Sequence, residues 1–188
     1  MDRKYEFTGE TKQWLGVTLH RIRACVEIAA LGIAVGDLGG WIEREENLSQ
    51  VYGDAWVYGN AQVSGNAQVS GNARVSGDAQ VSGNAQVSGD ARVYGRNHLG
   101  WFSCVGSENG TLCWFIEKDG AIRVNRGCFN GTLAEFRAAV DETHGDSPNG
   151  EQYRLLIQFI ELRAAEALKT FAPADEQQAR SAREWEEL

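Results

Sequence analysis

The sequence has no long apolar run. No window of its 188 residues approaches the roughly twenty consecutive apolar residues that a membrane-spanning helix requires. The opening residues, MDRKYEFTGE, also lack the apolar core of a signal peptide. These two absences predict a cytoplasmic protein without a membrane partner.

Paired metal ligands are missing as well. The four cysteines (Cys25, Cys104, Cys113 and Cys128) include no C-x-x-C pair, and the chain contains neither G-x-S-x-G nor a phosphate-binding loop. We therefore expect reduced thiols, no metal and no cofactor.

Positive charge is also scarce. The formal net charge is −8, and residues 132–188 hold twelve acidic side chains against six basic ones. This balance argues against direct nucleic-acid binding, because nucleic-acid interfaces are usually basic. Mimicry of a nucleic acid is a minor alternative.

A six-residue repeat fills the middle of the chain. Eight units run without interruption: VYGDAW, VYGNAQ, VSGNAQ, VSGNAR, VSGDAQ, VSGNAQ, VSGDAR and VYGRNH, from Val51 to His98. Val and Ala of successive units are two residues apart, so both point to one side of a short strand, and the residue between them points to the other. The Gly-Asn or Gly-Asp that follows permits a tight corner.

This pattern resembles the hexapeptide repeat of left-handed parallel β-helices. In that family three units make a coil of eighteen residues, so the resemblance implies about three coils here. It also suggests an alternative function, since many members are trimeric acyltransferases with a histidine base. His98 is the one histidine of the repeat and lies at its last outward position.

An eighteen-residue coil stacks residues into columns. Val51, Val69 and Val87 are predicted inside, as are Val57, Val75 and Val93. The outward columns are Gln62, Gln80 and His98 on one face, Gln68 and Gln86 on another, and Trp56, Arg74 and Arg92 on the third. Because only the third column departs from the repeat, we predict that Trp56, Arg74 and Arg92 bind a partner. The alternative is a solvated face in which Asp54 and Asp90 pair with the arginines and Trp56 makes a cation–π contact.

The segments on either side predict caps for the open strand edges of the repeat. Residues 5–28 indicate a hairpin, and residues 101–129 indicate three strands, with Cys104 opposite Cys113. Two helices follow: one is capped by Thr132 and Glu135, and the other runs from about Gln152 to Phe171 with its buried stripe at Leu156, Phe159, Ile160, Ala164 and Leu168. The acidic tail predicts a third helix with Ala179, Ala182 and Trp185 along one edge.

The predicted fold is therefore mostly β with an α/β C-terminal part: a short left-handed parallel β-helix capped by a hairpin and by a three-stranded sheet with helices. The predicted divisions are 1–50, 51–98, 99–172 and 173–188. The motifs KYEFTGET, GDLGGWIEREENLSQ and NRGCFNGTLAEF resemble segments of uncharacterised phage and prophage proteins.

Three functions are open at this point. We favour a non-enzymatic accessory protein of phage type that binds and inhibits a host macromolecule, most simply a protein, in an anti-defence role of the anti-CRISPR kind. The second is capture of a small molecule or nucleotide signal by Ser107, Asn109, Thr111, Arg126 and Thr132 of the C-terminal part. The third is acyl transfer. Self-association is expected, as a trimer or as a dimer through the C-terminal helices.

Overall fold

The computed structural model describes residues 3–51, 53–169 and 171, and the predicted tail helix with Trp185 lies outside them. The described part has fourteen strands and two α-helices. The strands are β1 (Tyr5–Trp14), β2 (Val17–Ala24), β3 (Leu38–Ile42), β4 (Trp56–Val57), β5 (Gln62–Val63), β6 (Gln68–Val69), β7 (Arg74–Val75), β8 (Gln80–Val81), β9 (Gln86–Val87), β10 (Arg92–Val93), β11 (Leu99–Val105), β12 (Gly110–Ile116), β13 (Ile122–Arg126) and β14 (Phe129–Thr132). The helices are α1 (Leu133–His144) and α2 (Pro148–Leu168).

The repeat folds into a β-solenoid with three parallel ladders. Strands β4, β7 and β10 form one, β5 and β8 extend a second from β3, and β6 and β9 form the third. Within the repeat each strand pairs with the strand eighteen residues away, as in Gln62 with Gln80 and Gln68 with Gln86. Gly71 shows why the corners need glycine: its φ is +65°, and a Cβ there would lie 2.9 Å from the Gly89 nitrogen.

The solenoid interior is built from valine and alanine. The valines from Val57 to Val93 and the alanines from Ala55 to Ala91 are all buried. Burial of each valine side chain contributes roughly 1.5–3 kcal/mol, so the repeat has a continuous apolar core despite its short strands.

One predicted interior position is wrong. Val51 is 61 % exposed, and Leu48 instead pairs in parallel with Val69 and is buried. The step from Leu48 to Val69 is 21 residues, as is the step from Trp41 to Gln62, whereas the repeat itself uses 18. Three extra residues before Trp56 therefore displace Val51, and the parallel ladders reach back to β3, ahead of the first repeat unit.

The two ends of the solenoid are covered as the open edges require. At one end, β1 and β2 form the predicted hairpin, and β2 pairs with β3. At the other end, Asn125 Nδ2 donates to the Gln86 oxygen at 3.0 Å, and the Lys118 amide donates to the Asp90 oxygen at 3.1 Å. The C-terminal sheet is thus bonded directly to the last coil.

That C-terminal sheet has four strands, in the order β11-β12-β13-β14, where three were predicted. The predicted pairing of Cys104 with Cys113 is also wrong, because Cys113 lies opposite Trp101 and Asn125. The β11–β12 turn closes at Val105 and Gly110, and an irregularity between Phe102 and Val105 shifts the register further. Cys104 lies in this irregularity with φ +60°.

The two C-terminal helices pack on one face of this sheet. The capping box of Thr132 and Glu135 is present as predicted. Helix α2 begins earlier than predicted, because Ser147 accepts a bond from the Gly150 amide and Pro148 occupies the first turn. Its buried residues differ from the predicted stripe at three of five positions: they are Tyr153, Ile157, Ile160, Ala164 and Ala167, together with Gly150.

The displaced register gives a test of the first coil. We expect Leu48→Ala to lower the free energy of unfolding by about 2–5 kcal/mol, because it leaves a cavity in the solenoid core. Val51→Ala should change it by less than about 0.5 kcal/mol, because Val51 is exposed. Guanidinium denaturation followed by circular dichroism measures both. Equal losses in the two variants would contradict the observed register.

Candidate functional site

The predicted column of Trp56, Arg74 and Arg92 exists as a backbone register. Trp56 pairs with Arg74, and Arg74 pairs with Arg92. Parallel neighbours lie about 4.8 Å apart, so the two arginines are stacked directly on each other. The order of the column was therefore predicted correctly from the sequence.

The exposure of this column to solvent was not predicted correctly. Trp56 is only 1 % exposed, and its ring meets the Tyr5 ring edge-on at 6.4 Å between centroids. The Tyr5 hydroxyl in turn donates to the Leu48 and Glu45 oxygens, each at 2.9 Å. The N-terminal hairpin thus covers Trp56, which cannot contact a partner directly. The cation–π contacts found in the described residues lie at Trp41, under Lys12 and Arg21, and not at Trp56.

Arg74 and Arg92 are held by main-chain oxygens. Arg92 Nη1 donates to Ala91 at 2.9 Å and to Asn72 at 3.0 Å, and Arg74 Nη2 donates to Ala30 at 3.2 Å. The predicted support from Asp54 and Asp90 is wrong: Asp90 pairs with Lys118 at 2.7 Å. Within the described residues neither arginine has a carboxylate partner, and the Nε atom of each is buried without an acceptor.

The pKa shifts around Arg74 and Arg92 follow from burial and from the closeness of the two positive charges. Burial, and then the adjacent Arg74 charge, lower the pKa of Arg92 from its ordinary value. Burial raises the pKa of Tyr58 to about 12 and also raises the pKa of Tyr94, while both arginines act on each tyrosine in the opposite direction. The four side chains form what we call the arginine–tyrosine face, defined by Tyr58, Arg74, Arg92 and Tyr94. Arg92 is itself buried, at 6 % exposed, so it contributes charge, and the accessible hydrogen-bond donors come from the half-buried Arg74, Tyr58 and Tyr94. The face carries positive charge and is suited to a carboxylate or phosphate group.

Sequence reasoning missed the two tyrosines of this face. A signal was available, because Tyr58 and Tyr94 occupy the position that serine holds in the five units between them. Tyr58 lies one residue beyond Val57, and its amide donates to the Val75 oxygen at 2.8 Å, which fixes it beside Arg74 in the stack.

The predicted C-terminal ligand site is divided between two ends of the sheet. Ser107, Asn109, Thr111 and Arg126 lie at or beside the β11–β12 turn, where Arg126 Nη2 donates to the Val105 oxygen at 2.9 Å. Thr132 is opposite Arg123, at the far end of the β13–β14 hairpin, and is bonded to Glu135. These five residues therefore do not converge on one ligand position.

His98 is buried, although its position at the edge of the repeat predicted a surface residue. It is 5 % exposed, and its Nδ1 accepts the Tyr94 amide at 3.3 Å. The rings of Tyr94 and Phe171 pack against it at 5.6 and 5.7 Å between centroids. Burial lowers the pKa of His98, so the neutral imidazole is favoured.

The described residues contain neither a metal-binding cluster nor a membrane-spanning helix. Among residues 3–51, 53–169 and 171, no group of three or more His, Cys, Asp or Glu side chains could hold a metal ion. In the same residues, no helix is long and apolar enough to cross a membrane.

The repeat also matches a known protein family. The family described as YdcK beta solenoid repeat matches residues 49–65, 67–83 and 85–98, about a quarter of the chain. The three matches begin eighteen residues apart, which is the register of the parallel ladders. A search of the curated proteins found no match.

The cysteines give a test of the C-terminal register. Cys104 and Cys128 are exposed, whereas Cys113 is buried, and burial raises the pKa of its thiol to about 12. We expect Ellman's reagent to modify Cys104 and Cys128 in the folded protein and Cys113 only after denaturation, because the reaction needs an accessible thiolate to attack the disulfide of the reagent. Cys104→Ser should remove one fast equivalent. Rapid modification of Cys113 would contradict the buried position of β12.

Proposed function

We propose that the chain is a non-enzymatic binding protein whose β-solenoid serves as a rigid platform for contact with another macromolecule. Its partner is a protein of a bacterial host, and contact occurs in the cytoplasm through the arginine–tyrosine face. Repeat solenoids suit this task, because successive coils place side chains at fixed intervals along an extended surface.

The observation that carries this proposal is the unpaired charge of Arg74 and Arg92. Burying a cation without a paired counter-ion costs free energy: Arg92 is buried and Arg74 half-buried, the Asp90 charge acts on Arg92 without pairing with it, and both Nε atoms lack acceptors among the described residues. A folded chain does not need this arrangement for its architecture, because glutamine occupies the same outward position in four other units of the repeat. A partner carboxylate beside Arg74 would offset the two positive charges and accept a hydrogen bond from the half-buried Arg74 guanidinium.

The composition of the face supports a protein partner. Arginine and tyrosine are enriched among the residues that dominate the energy of protein interfaces. Trp56, the first residue of the column, is buried under Tyr5 and therefore makes no direct contact with the partner. The burial of His98 supports a non-enzymatic role, since a general base needs access to its substrate.

The finer parts of the proposal rest on resemblance. We propose a left-handed solenoid of hexapeptide type with about three coils, in line with six-residue units and an eighteen-residue register. The similarity of the flanking motifs to phage proteins supports a role as a phage accessory protein that inhibits or sequesters a host component. An anti-defence target fits this role by analogy.

The test is affinity capture from a bacterial lysate with the parent chain, followed by titration of the captured protein. The double variant Arg74→Gln, Arg92→Gln matches the glutamine of the neighbouring columns and should weaken binding by about 2 kcal/mol or more, roughly thirtyfold. We expect the affinity to fall because the variant removes the two positive charges that a partner carboxylate would neutralise.

The control is the double variant Arg96→Gln, Arg163→Gln, which removes the same charge from two exposed arginines outside this face. It should bind as the parent does, and circular dichroism should show all three proteins folded. Equal binding by the parent and the Arg74, Arg92 variant would exclude the arginine–tyrosine face as the contact surface.

Self-association is a second part of the proposal. Leu155, Phe159 and Leu162 lie along one side of α2 and are 60 %, 49 % and 74 % exposed. An apolar stripe at this spacing on a 21-residue helix supports a dimer through the C-terminal helices, with the trimer as the alternative.

Sedimentation velocity at micromolar concentration tests the dimer. Leu162→Glu should shift the protein to monomer, because it introduces a charge into the stripe, whereas Leu15→Glu, in the exposed hairpin turn, should leave the mass unchanged. A monomeric parent protein would contradict self-association, and a trimer unaffected by Leu162→Glu would exclude the α2 interface.

A further inference from the structure

A groove lies between the turn of the N-terminal hairpin and the glutamine column of the second ladder. Its volume is about 270 Å³. Trp14 comes from the hairpin turn, Gln62 and Gln80 form the floor, and Ser64, Ser82 and Glu43 complete the lining. None of the residues that line the groove belongs to the arginine–tyrosine face.

The hairpin creates this groove by running past the strand that supports it. His20 of β2 pairs with Ile42, the last residue of β3, so Val17 and its partner Trp14 extend beyond the end of β3. The floor is rigid, because Gln62 is in register with Gln80, and the Gln62 and Ser64 amides donate to the Ala79 and Val81 oxygens at 3.0 and 2.9 Å.

The floor offers an acceptor with no donor. Gln62 Oε1 is buried and has no hydrogen-bond partner in the described part of the chain. A buried amide oxygen normally has a partner, because leaving it unpaired costs about 1–3 kcal/mol. The hydroxyls of Ser64 and Ser82 can both donate and accept, so the floor is matched to a ligand that brings its own O–H or N–H groups.

The charge of the groove lining further restricts the class of ligand that can bind. The groove lining contains the Glu43 carboxylate and no Lys, Arg or His. Glu43 is fixed in place, since its Oε2 accepts the Gly65 amide at 2.6 Å. A phosphate or carboxylate ligand would be repelled here, whereas a neutral ligand rich in hydroxyl groups would not.

Trp14 supplies the apolar contact of the proposed binding site. Its side chain is half-buried and lines the same groove as the amides and hydroxyls, so it adds an apolar surface to the lining. Pyranose sugars combine an apolar C–H face with a ring of hydroxyl donors, which is the combination that this wall and this floor match.

We propose that this groove binds a neutral saccharide of one or two rings, with Trp14 packed against a sugar face and the Gln62 amide turning towards the groove so that its unpartnered oxygen accepts a sugar hydroxyl. The site is independent of the proposed protein partner, because it uses a different ladder and different side chains. It would give the solenoid a ligand-binding function of its own.

The test is saturation-transfer NMR and calorimetric titration with glucose, N-acetylglucosamine and maltose, and with glucose 6-phosphate as the anionic counterpart of glucose. At least one neutral sugar should bind with millimolar or better affinity, and glucose 6-phosphate should bind at least about tenfold more weakly than glucose or not at all. Spermine is included because Glu43 could also attract a cation.

Substitutions in the full chain test whether the sugar binds in this groove. Trp14→Ala and Gln62→Ala should each reduce affinity for the best neutral sugar by about tenfold or more. The matched control is Gln68→Ala, since Gln68 holds the same repeat position on the third ladder and lies outside the groove. Stronger binding of glucose 6-phosphate, binding of spermine alone, equal losses in all three variants, or no sugar binding would each overturn the proposal.

Discussion

Every feature of this protein depends on the parallel backbone register of the solenoid. The Trp56 amide donates to the Ala73 oxygen at 3.0 Å, and the Arg74 amide donates to the Ala91 oxygen at 2.9 Å, so each coil is fixed to the next at eighteen residues. This constraint places identical positions of successive coils in contact. Asparagines at the corners use it favourably: Asn66 Nδ2 donates to Asn84 Oδ1 at 3.1 Å.

The same register makes the arginine–tyrosine face unusual. Two guanidinium groups would move apart on a flexible surface, but the backbone pairing of Arg74 with Arg92 prevents this. The flanking segments bring main-chain oxygens and not carboxylates: Arg74 Nη2 donates to the Ala30 oxygen. Burial of the apolar side chains inside the coil offsets the free-energy cost of these charges, and the proposed binding of an anionic group rests on the positive charge that remains.

The parts of the fold that sequence could predict are those governed by local repetition. The inward valines and alanines, the order of the outward columns and the Thr132 capping box all follow from spacing alone. Val51 was misplaced, because a three-residue insertion before Trp56 breaks the period while leaving a unit that still looks regular. The eighteen-residue spacing alone does not identify Leu48 as a buried residue. It does so only when three extra residues are allowed before Trp56.

The remaining errors come from contacts between distant segments. Nothing in the repeat indicates that Tyr5 covers Trp56, or that Phe171 packs on His98, because these contacts join residues about fifty and seventy positions apart. The register of β11 depended on the irregularity at Cys104, which turn signals do not indicate. The lack of a carboxylate partner for Arg74 and Arg92 was likewise not predictable, since the stacking of coils places Asp54 and Asp90 at the adjacent corner, whereas Lys118, which pairs with Asp90, comes from the C-terminal sheet.

The central claim is that Arg74 and Arg92 serve binding and not folding, and the stability of the isolated protein tests it most directly. Chemical denaturation of the parent and of the Arg74→Gln, Arg92→Gln variant, without any ligand, compares their free energies of unfolding. The account predicts a difference of less than about 1 kcal/mol, because glutamine holds this position elsewhere in the repeat and removal of two unpaired charges offsets the lost hydrogen bonds. A loss of about 3 kcal/mol or more would show that the arginines hold the solenoid together, and would contradict the account.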